Sequence, residues 1–351
     1  MLQRNPGASR RRSPENRVAD ALLSVDVSEP ILVADVGGTH VRFALSCAPG
    51  RLDHVLDLTG PFVDFGQALG DYQEYCGLDR LPKRAVCAVA GPVLAGEVQF
   101  TNRNWRIRED DLKRLGIVHV RLINDFAALA WAAEEFGAAD SRPIGPAVTG
   151  REDGAISIVG AGTGFGVSCL VRSARCAIVL STEAGHAAFA PSDEREMAVL
   201  RLLQQRFGRV SIERLLSGPG LENLFAALEQ KAGRPPRPLT AAQVVDGSKS
   251  GDFFCQEALA LFCSIYGAVA GDIALAHGAT GGVLIAGGIA QKIGAYLATS
   301  AFRAKFEDKG RLMPYMRAIP TRLICNPHAA LLGAARVGHT SGLPFASTQP
   351  A

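Results

Sequence analysis

The chain has 351 residues, 48% of them hydrophobic and 20% charged, with a formal net charge of +3. At roughly 100–200 residues per domain this length accommodates two domains with cores of their own, and so small a charge argues against a broad basic face for nucleic acid. Among the eight cysteines no pair is separated by two residues, so a zinc pair or dithiol redox motif is absent and reduced thiols in a cytoplasmic protein are expected.

Residues 1–29 are polar, carry Arg10, Arg11 and Arg12, and have no apolar run behind them. A secretory signal needs such a run, so a disordered basic tail is expected. Residues 31–45 (ILVADVGGTHVRFAL) read as strand, Gly-Gly turn and strand, a hairpin that gathers Asp35, Gly37, Gly38 and Thr39 at its turn. Phe126, Leu129, Ala130 and Ala133 recur at helical spacing after Asn124. Residues 156–171 (ISIVGAGTGFGVSCLV) repeat the hairpin design, with Gly160, Gly162, Thr163, Gly164 and Gly166 in the turn. Residues 221–230 are read as a helix entered through a turn over 217–220, and residues 231–239 as a surface loop rich in Pro and Arg. Ala258, Phe262, Ile265, Val269 and Ile273 mark a buried helical face. The apolar stretch 258–271 is shorter than the ~20 residues a spanning helix needs. Residues 283–290 form a strand running into Gly287 and Gly288. Strands alternating with helices, and one like hairpin near the start of each half, point to two related α/β domains.

The 38 glycines, against about 25 at an average usage of ~7%, sit in bursts between apolar runs and so mark backbone turns. No G-x-x-x-x-G-K-[ST] is present, and the glycines from Gly160 to Gly166 are spaced by two throughout, which rejects both the P-loop and the dinucleotide fingerprint. Bare backbone amides in such turns can cradle phosphate, with Thr39 and Thr163 adding hydroxyls. Asp35 can hold Mg²⁺ through water. The plainer account is two tight turns with a capping aspartate. Asn124-Asp125 is ordinarily a helix cap, although a carboxylate beside phosphate-binding turns also suits a base that accepts the proton of an attacking hydroxyl. Glu183-Ala-Gly-His186 is a loop, either solvated or suited to hydroxyl recognition. Glu213 reads as an ordinary surface residue.

Taken in order, ADVGGTHVRFAL, AGPV, TNRNW, INDFAAL, GAGTGFGV, EAGH, LSGPGLENL, GGVLIAGGIA, FEDKGR and NPHAALLGAA closely resemble the bacterial glucokinase family of actin-like, hexokinase-type ATPases, from about residue 31 to 336. The resemblance implies two actin-like, ribonuclease H-like α/β domains with a cleft between them. It implies phosphoryl transfer from ATP, with Mg²⁺ held through water by Asp35, to the 6-hydroxyl of glucose, with Asp125 as base. Asn124, Asp125, Glu183, His186 and Glu213 match the sugar-binding residues. Ala34, Asp35, Val36, Gly37, Gly38 and Thr39, together with Gly160, Gly162, Thr163 and Gly164, match the two phosphate loops. Gly287 and Gly288 match the turn beside adenosine. A homodimer is implied, with no nucleic-acid or membrane partner.

The domains are expected at 30–135 with 327–340, and at 136–326, with a flexible end over 341–351. Ala184 stands where the family often has Gly, and His40 where it often has Asn. The rivals are a kinase for another hexose or an amino sugar, and a sugar-sensing regulator. The second would need a helix-turn-helix that residues 1–29 are too short to supply.

Overall fold

The structure, a computed structural model, describes residues 29–340 apart from 38–39, 61, 101–104 and 174–175. The expected tail over 1–29 therefore lies outside it except for Glu29, which pairs with Arg80 at 3.4 Å, and the end over 341–351 lies outside it altogether.

Two sheets carry the fold. The first contains β1 (Ile31–Val36), β2 (His40–Ala48), β3 (Arg51–Thr59), β4 (Arg84–Val89) and, beyond a small ribbon of β5 (Glu97–Gln99) and β6 (Arg106–Arg108), β7 (His119–Asn124). Its order is β3-β2-β1-β4-β7. The second contains β8 (Ser141–Pro143), β9 (Ile156–Ala161), β10 (Phe165–Arg172), β11 (Ala177–Thr182), β12 (Gly282–Ala286) and β13 (Thr321–Ile324), ordered β11-β10-β9-β12-β13-β8. In each sheet an antiparallel hairpin is continued by parallel strands: β1 with β4, β9 with β12. The second sheet thus repeats the first and adds β8. The central strands β4, β9 and β12 are buried along their whole length, which accounts for sequences that are apolar save for Arg84 and Ser157.

Two helices, Asp125–Ala132 and Ala329–His339, fill the space between the sheets. On one side Ala128, Trp131, Leu331 and Ala335 pack with Ile31, Val33, Val86 and Ile123. On the other, Ala130 and Ala329 pack with Ile156, Ile158, Leu170 and Leu284. They cross so closely that a Cβ on Gly333 would strike the carbonyl of Ala128. The far face of the first sheet is covered by helix Phe65–Tyr75, with Tyr72 stacked on Phe43 at 4.9 Å between ring centroids. The far face of the second is covered by helix Phe253–His277.

That last helix bears out the buried face read from Ala258 to Ile273, and is longer than the apolar stretch that announced it. Its 25 residues are long and apolar enough to cross a membrane, yet 72% of its most apolar window is buried inside the fold. A second difference concerns residues 217–220. Ser217 is the helix cap, its hydroxyl accepting from the Gly220 amide at 2.9 Å, so Gly218, Pro219 and Gly220 are the first turn of helix Gly218–Lys231 and not a turn before it. Proline tolerates that place because the amide it lacks has no helical acceptor there. All eight cysteines are free.

Candidate functional site

The strand β7 ends at Asn124, which caps the next helix through its side-chain oxygen, accepting from the amides of Phe126 (2.9 Å) and Ala127 (3.2 Å). Its side-chain nitrogen donates to the Gly91 carbonyl at 3.2 Å. The cap reading is correct, and it fixes the next residue: Asp125 occupies the first helical position and faces a cavity of about 260 Å³. Asp35, Arg42, Gly287, Gly288, Gln291 and Asn326 share that cavity.

The carboxyl of Asp125 is pushed up to about 7. Burial is the main cause, the charge of Asp35 comes next and that of Glu183 adds to it, while the amides of Phe126 and Asp125 itself oppose them. Asp35 is also raised by burial, and is held back by Arg42, whose guanidinium lies 2.9 Å from it. Arg42, on β2, stands opposite Asp35 on β1 and opposite Asp57 on β3, so the three form a ladder across adjacent strands, with Arg42 3.3 Å from Asp57. Sequence reasoning misses Arg42. It reads as an ordinary strand residue until the hairpin register places it beside Asp35.

The second hairpin reaches the same place through its backbone. The ring of Phe126, next in sequence to Asp125, lies where Cβ atoms on Gly160 and Gly166 would be. The Ser168 hydroxyl donates to the Phe126 carbonyl at 2.7 Å. Gly287 has φ 91°, a conformation that favours glycine, and a Cβ there would strike the Ala161 carbonyl. These contacts bring the β12 turn, the β9–β10 hairpin and the start of the Asp125 helix against one another.

Glu213 is half-buried, and its carboxylate accepts from the Phe165 amide at 2.9 Å, beside Gly164. Glu183 precedes and His186 ends a single 3-10 turn, Ala184–His186, and both are exposed. The Gly185 backbone abuts the Phe165 carbonyl, so the Glu183 loop, Glu213 and the hairpin turn are adjacent. Two amides offered to phosphate are engaged within their own turns: Gly37 donates to His40 (2.9 Å) and Gly162 to Gly164 (2.8 Å). Gly38 and Thr39 lie outside the described residues. Ala34 and Val36 are buried strand residues of β1, and Thr163 sits in the β9–β10 turn.

Among the described residues no group of three His, Cys, Asp or Glu side chains can enclose a metal ion. Asp35 alone, one oxygen on Arg42, fits an ion carried chiefly by nucleotide oxygens and water, the habit of Mg²⁺.

A protein-family model described as Glucokinase matches residues 32–341. The chain is 48% identical over 308 residues to a glucokinase of Caulobacter sp. strain K31, covering 87% of this chain and 93% of that one. Its structure is similar to a crystal structure of glucokinase from an Antarctic psychrotroph, with TM-score 0.80, 35% identity, and coverage of 89% of this chain and 99% of that one. A ROK family glucokinase from Streptomyces griseus in complex with glucose and AMPPNP matches with TM-score 0.59 and 17% identity, over 88% of this chain and 99% of that one. The last likeness is one of fold, the two-domain actin-like ATPase fold.

Proposed function

This chain belongs to the glucokinase family, and on that premise we propose that it transfers the γ-phosphoryl of ATP to the 6-hydroxyl of glucose, giving glucose 6-phosphate and ADP, with Asp125 as base. One observation carries the reading: Asp125 faces the cavity that holds Asp35, Gly287 and Gly288, while its neighbour Phe126 is seated on the glycines of the second hairpin.

In this reading the sugar is held by Asn124, Glu183, His186 and Glu213, with its 6-hydroxyl at Asp125. Asp125 accepts the hydroxyl proton as that oxygen attacks the γ-phosphorus and the bond to the β-phosphate oxygen breaks. A carboxyl pushed up to about 7 suits this work, being about half ionised at neutral pH and able to take a proton. Phosphoryl transfer otherwise needs positioning and charge neutralisation. Arg42 supplies positive charge at the cavity wall, and the phosphates lie along residues 34–39 and 160–164, where the Gly37 and Gly162 amides are already engaged in their own turns. Gly287 and Gly288 lie beside adenosine. Asp35 would hold Mg²⁺ through water, and the ion would neutralise phosphate charge. Residues 30–135 with 327–340 form the small domain and residues 136–326 the large one, and closing them would keep water from competing with the sugar. Eight free thiols support a reducing, cytoplasmic setting. The exposed Ile178 and Leu180 on the free edge strand β11 are compatible with the homodimer of the family.

The test is phosphorylation of glucose, mannose, fructose and glucosamine with Mg-ATP by the purified protein. Glucose 6-phosphate formed in step with ADP is expected, and negligible turnover of glucose would end this reading.

A further inference from the structure

The chain crosses between its two sheets twice. It leaves the first over residues 133–140, between helix Asp125–Ala132 and β8, and returns over residues 325–328, between β13 and helix Ala329–His339. Both crossings meet at Asp140. Its carbonyl accepts from the amides of Cys325 (2.7 Å) and Asn326 (3.2 Å). One carboxylate oxygen accepts from the Asn326 side-chain nitrogen at 2.7 Å, and the other from the Gly137 amide at 2.7 Å.

Asn326 is thereby held at both ends, for its side-chain oxygen accepts from the His328 amide at 2.8 Å. It also lines the cavity that contains Asp125, Asp35, Arg42 and Gly287, whereas Asp140 does not. Beside the outgoing crossing the chain is fastened by two ion pairs, Glu134 to Arg172 and Glu135 to Arg336, each at 2.7 Å. The joint between the sheets is therefore fastened around the segment that Asp140 closes.

We infer that Asp140 is a positioning residue for the phosphoryl donor, acting through Asn326: it ties the two crossings into one hinge and sets the Asn326 wall of the cavity. Hydrogen bonds to an ionised acceptor are the stronger kind, and this carboxylate makes one to each crossing. Without it the Asn326 amide loses one of its two fixed ends, and the Gly137 turn loses its clamp. The wall that faces the nucleotide loosens, while the sugar loop around Glu183 is untouched. The inference rests on the reading that this cavity takes ATP.

The test compares steady-state kinetics of the full chain and four variants. Asp140→Ala is expected to raise KM for ATP about tenfold, with KM for glucose little changed. Asp140→Asn keeps the acceptor for Gly137 and turns its amide on that of Asn326, giving a similar rise and serving where the alanine variant fails to fold. Asn326→Asp sets two carboxylates against each other and is expected to be as weak. The exchange Asp140→Asn with Asn326→Asp leaves every donor an acceptor. In it the amide introduced at position 140 donates to the carboxylate introduced at position 326, and that carboxylate still accepts from the His328 amide. This double variant should recover most of the ATP affinity. An unchanged KM for ATP in both Asp140 variants, a loss seen only in melting temperature, or an exchange no better than its single parts would overturn the inference. In that event, a collapse of turnover in Asp125→Asn would leave the reading of the cavity standing. Absence of ATP-dependent turnover by the unaltered protein would overturn both.

Discussion

The ring of Phe126 occupies the space that a Cβ on Gly166 would need, and so the helix start that carries Asp125 is registered on a hairpin some forty residues away. The contact is between a stiff aromatic group and backbone, and neither yields cheaply. Its partner on the other side is Asn124, which fixes the same helix start from β7. Asp125 is held between the two.

Gly166→Ala is expected to displace the Phe126 ring and shift Asp125 with it. Overpacking of this kind costs about 1–3 kcal/mol of stability, measurable by urea titration. Turnover should fall by more, about tenfold or beyond, since small misplacement of a reacting group is expensive in rate. A variant that loses stability and keeps its turnover number would show that the contact does not position the base.

Asp125→Asn removes the proton acceptor and keeps the shape. Turnover is expected to drop at least ~100-fold, with glucose still bound, as calorimetry can check. For the unaltered protein kcat/KM should climb with pH and reach half its plateau near 7, because the ionised form is the base and its carboxyl is pushed up to about 7. A flat profile between about pH 5.5 and 8 would remove Asp125 from that role.

The same raised value has a consequence for stability. A carboxyl that binds its proton more tightly when folded makes the native state lose stability as pH rises from its unfolded value, about 3.9, to about 7. Above that the penalty is complete. Asp125→Asn should therefore melt higher than the unaltered protein near pH 8, and the gain should vanish near pH 4. An equal shift at both values would point to packing instead of charge.

Glu183 and Glu213 are expected to separate when substituted. Glu183→Gln should raise the glucose concentration needed for half-maximal rate, with melting temperature unchanged, since this side chain is exposed. Glu213→Ala should do the same and also destabilise the protein by about 1–3 kcal/mol, because it strips the Phe165 amide of its acceptor. Glu213→Gln, which keeps an acceptor oxygen, should spare most of the stability. Kinetics paired with thermal melts distinguish the three.

His339 ties the last helix to β2, its ring 3.0 Å from the Ser46 hydroxyl. Burial, and then the charge of Arg84, hold its pKa below the ordinary value. The folded state thus resists protonation, and this contribution to stability is present above about 6.5 and lost as pH falls below it. Measured against His339→Gln, the unaltered protein should lose melting temperature as pH falls below about 6.5, superimposed on the opposite trend that Asp125 contributes.

What could be read without coordinates was local. Each hairpin is declared by an apolar run, a glycine turn and a second apolar run, and the helix start at Asn124 by a polar cap before an apolar period. Glu213 gave no such sign, because the amide it accepts from belongs to Phe165, 48 residues away. Arg42 was hidden for a different reason: its partner is close in sequence, but only the strand register makes the two face. Asp140 and Asn326 are 186 residues apart, and neither stands in a pattern that periodicity or turn chemistry would single out. The family resemblance supplied the roles proposed for Asp125 and Glu213, which local chemistry had left as a cap and a surface residue.

The two helices lying between the sheets bracket the second sheet in sequence, one made before it and one after. A fragment spanning residues 141–328 would leave Ile156, Ile158, Leu170 and Leu284 facing water, an adhesive patch in any partly made chain. Since helix Ala329–His339 follows every strand of the second sheet in the chain, that sheet stays half-dressed until the helix has been made, and its maturation depends on residues that arrive after it.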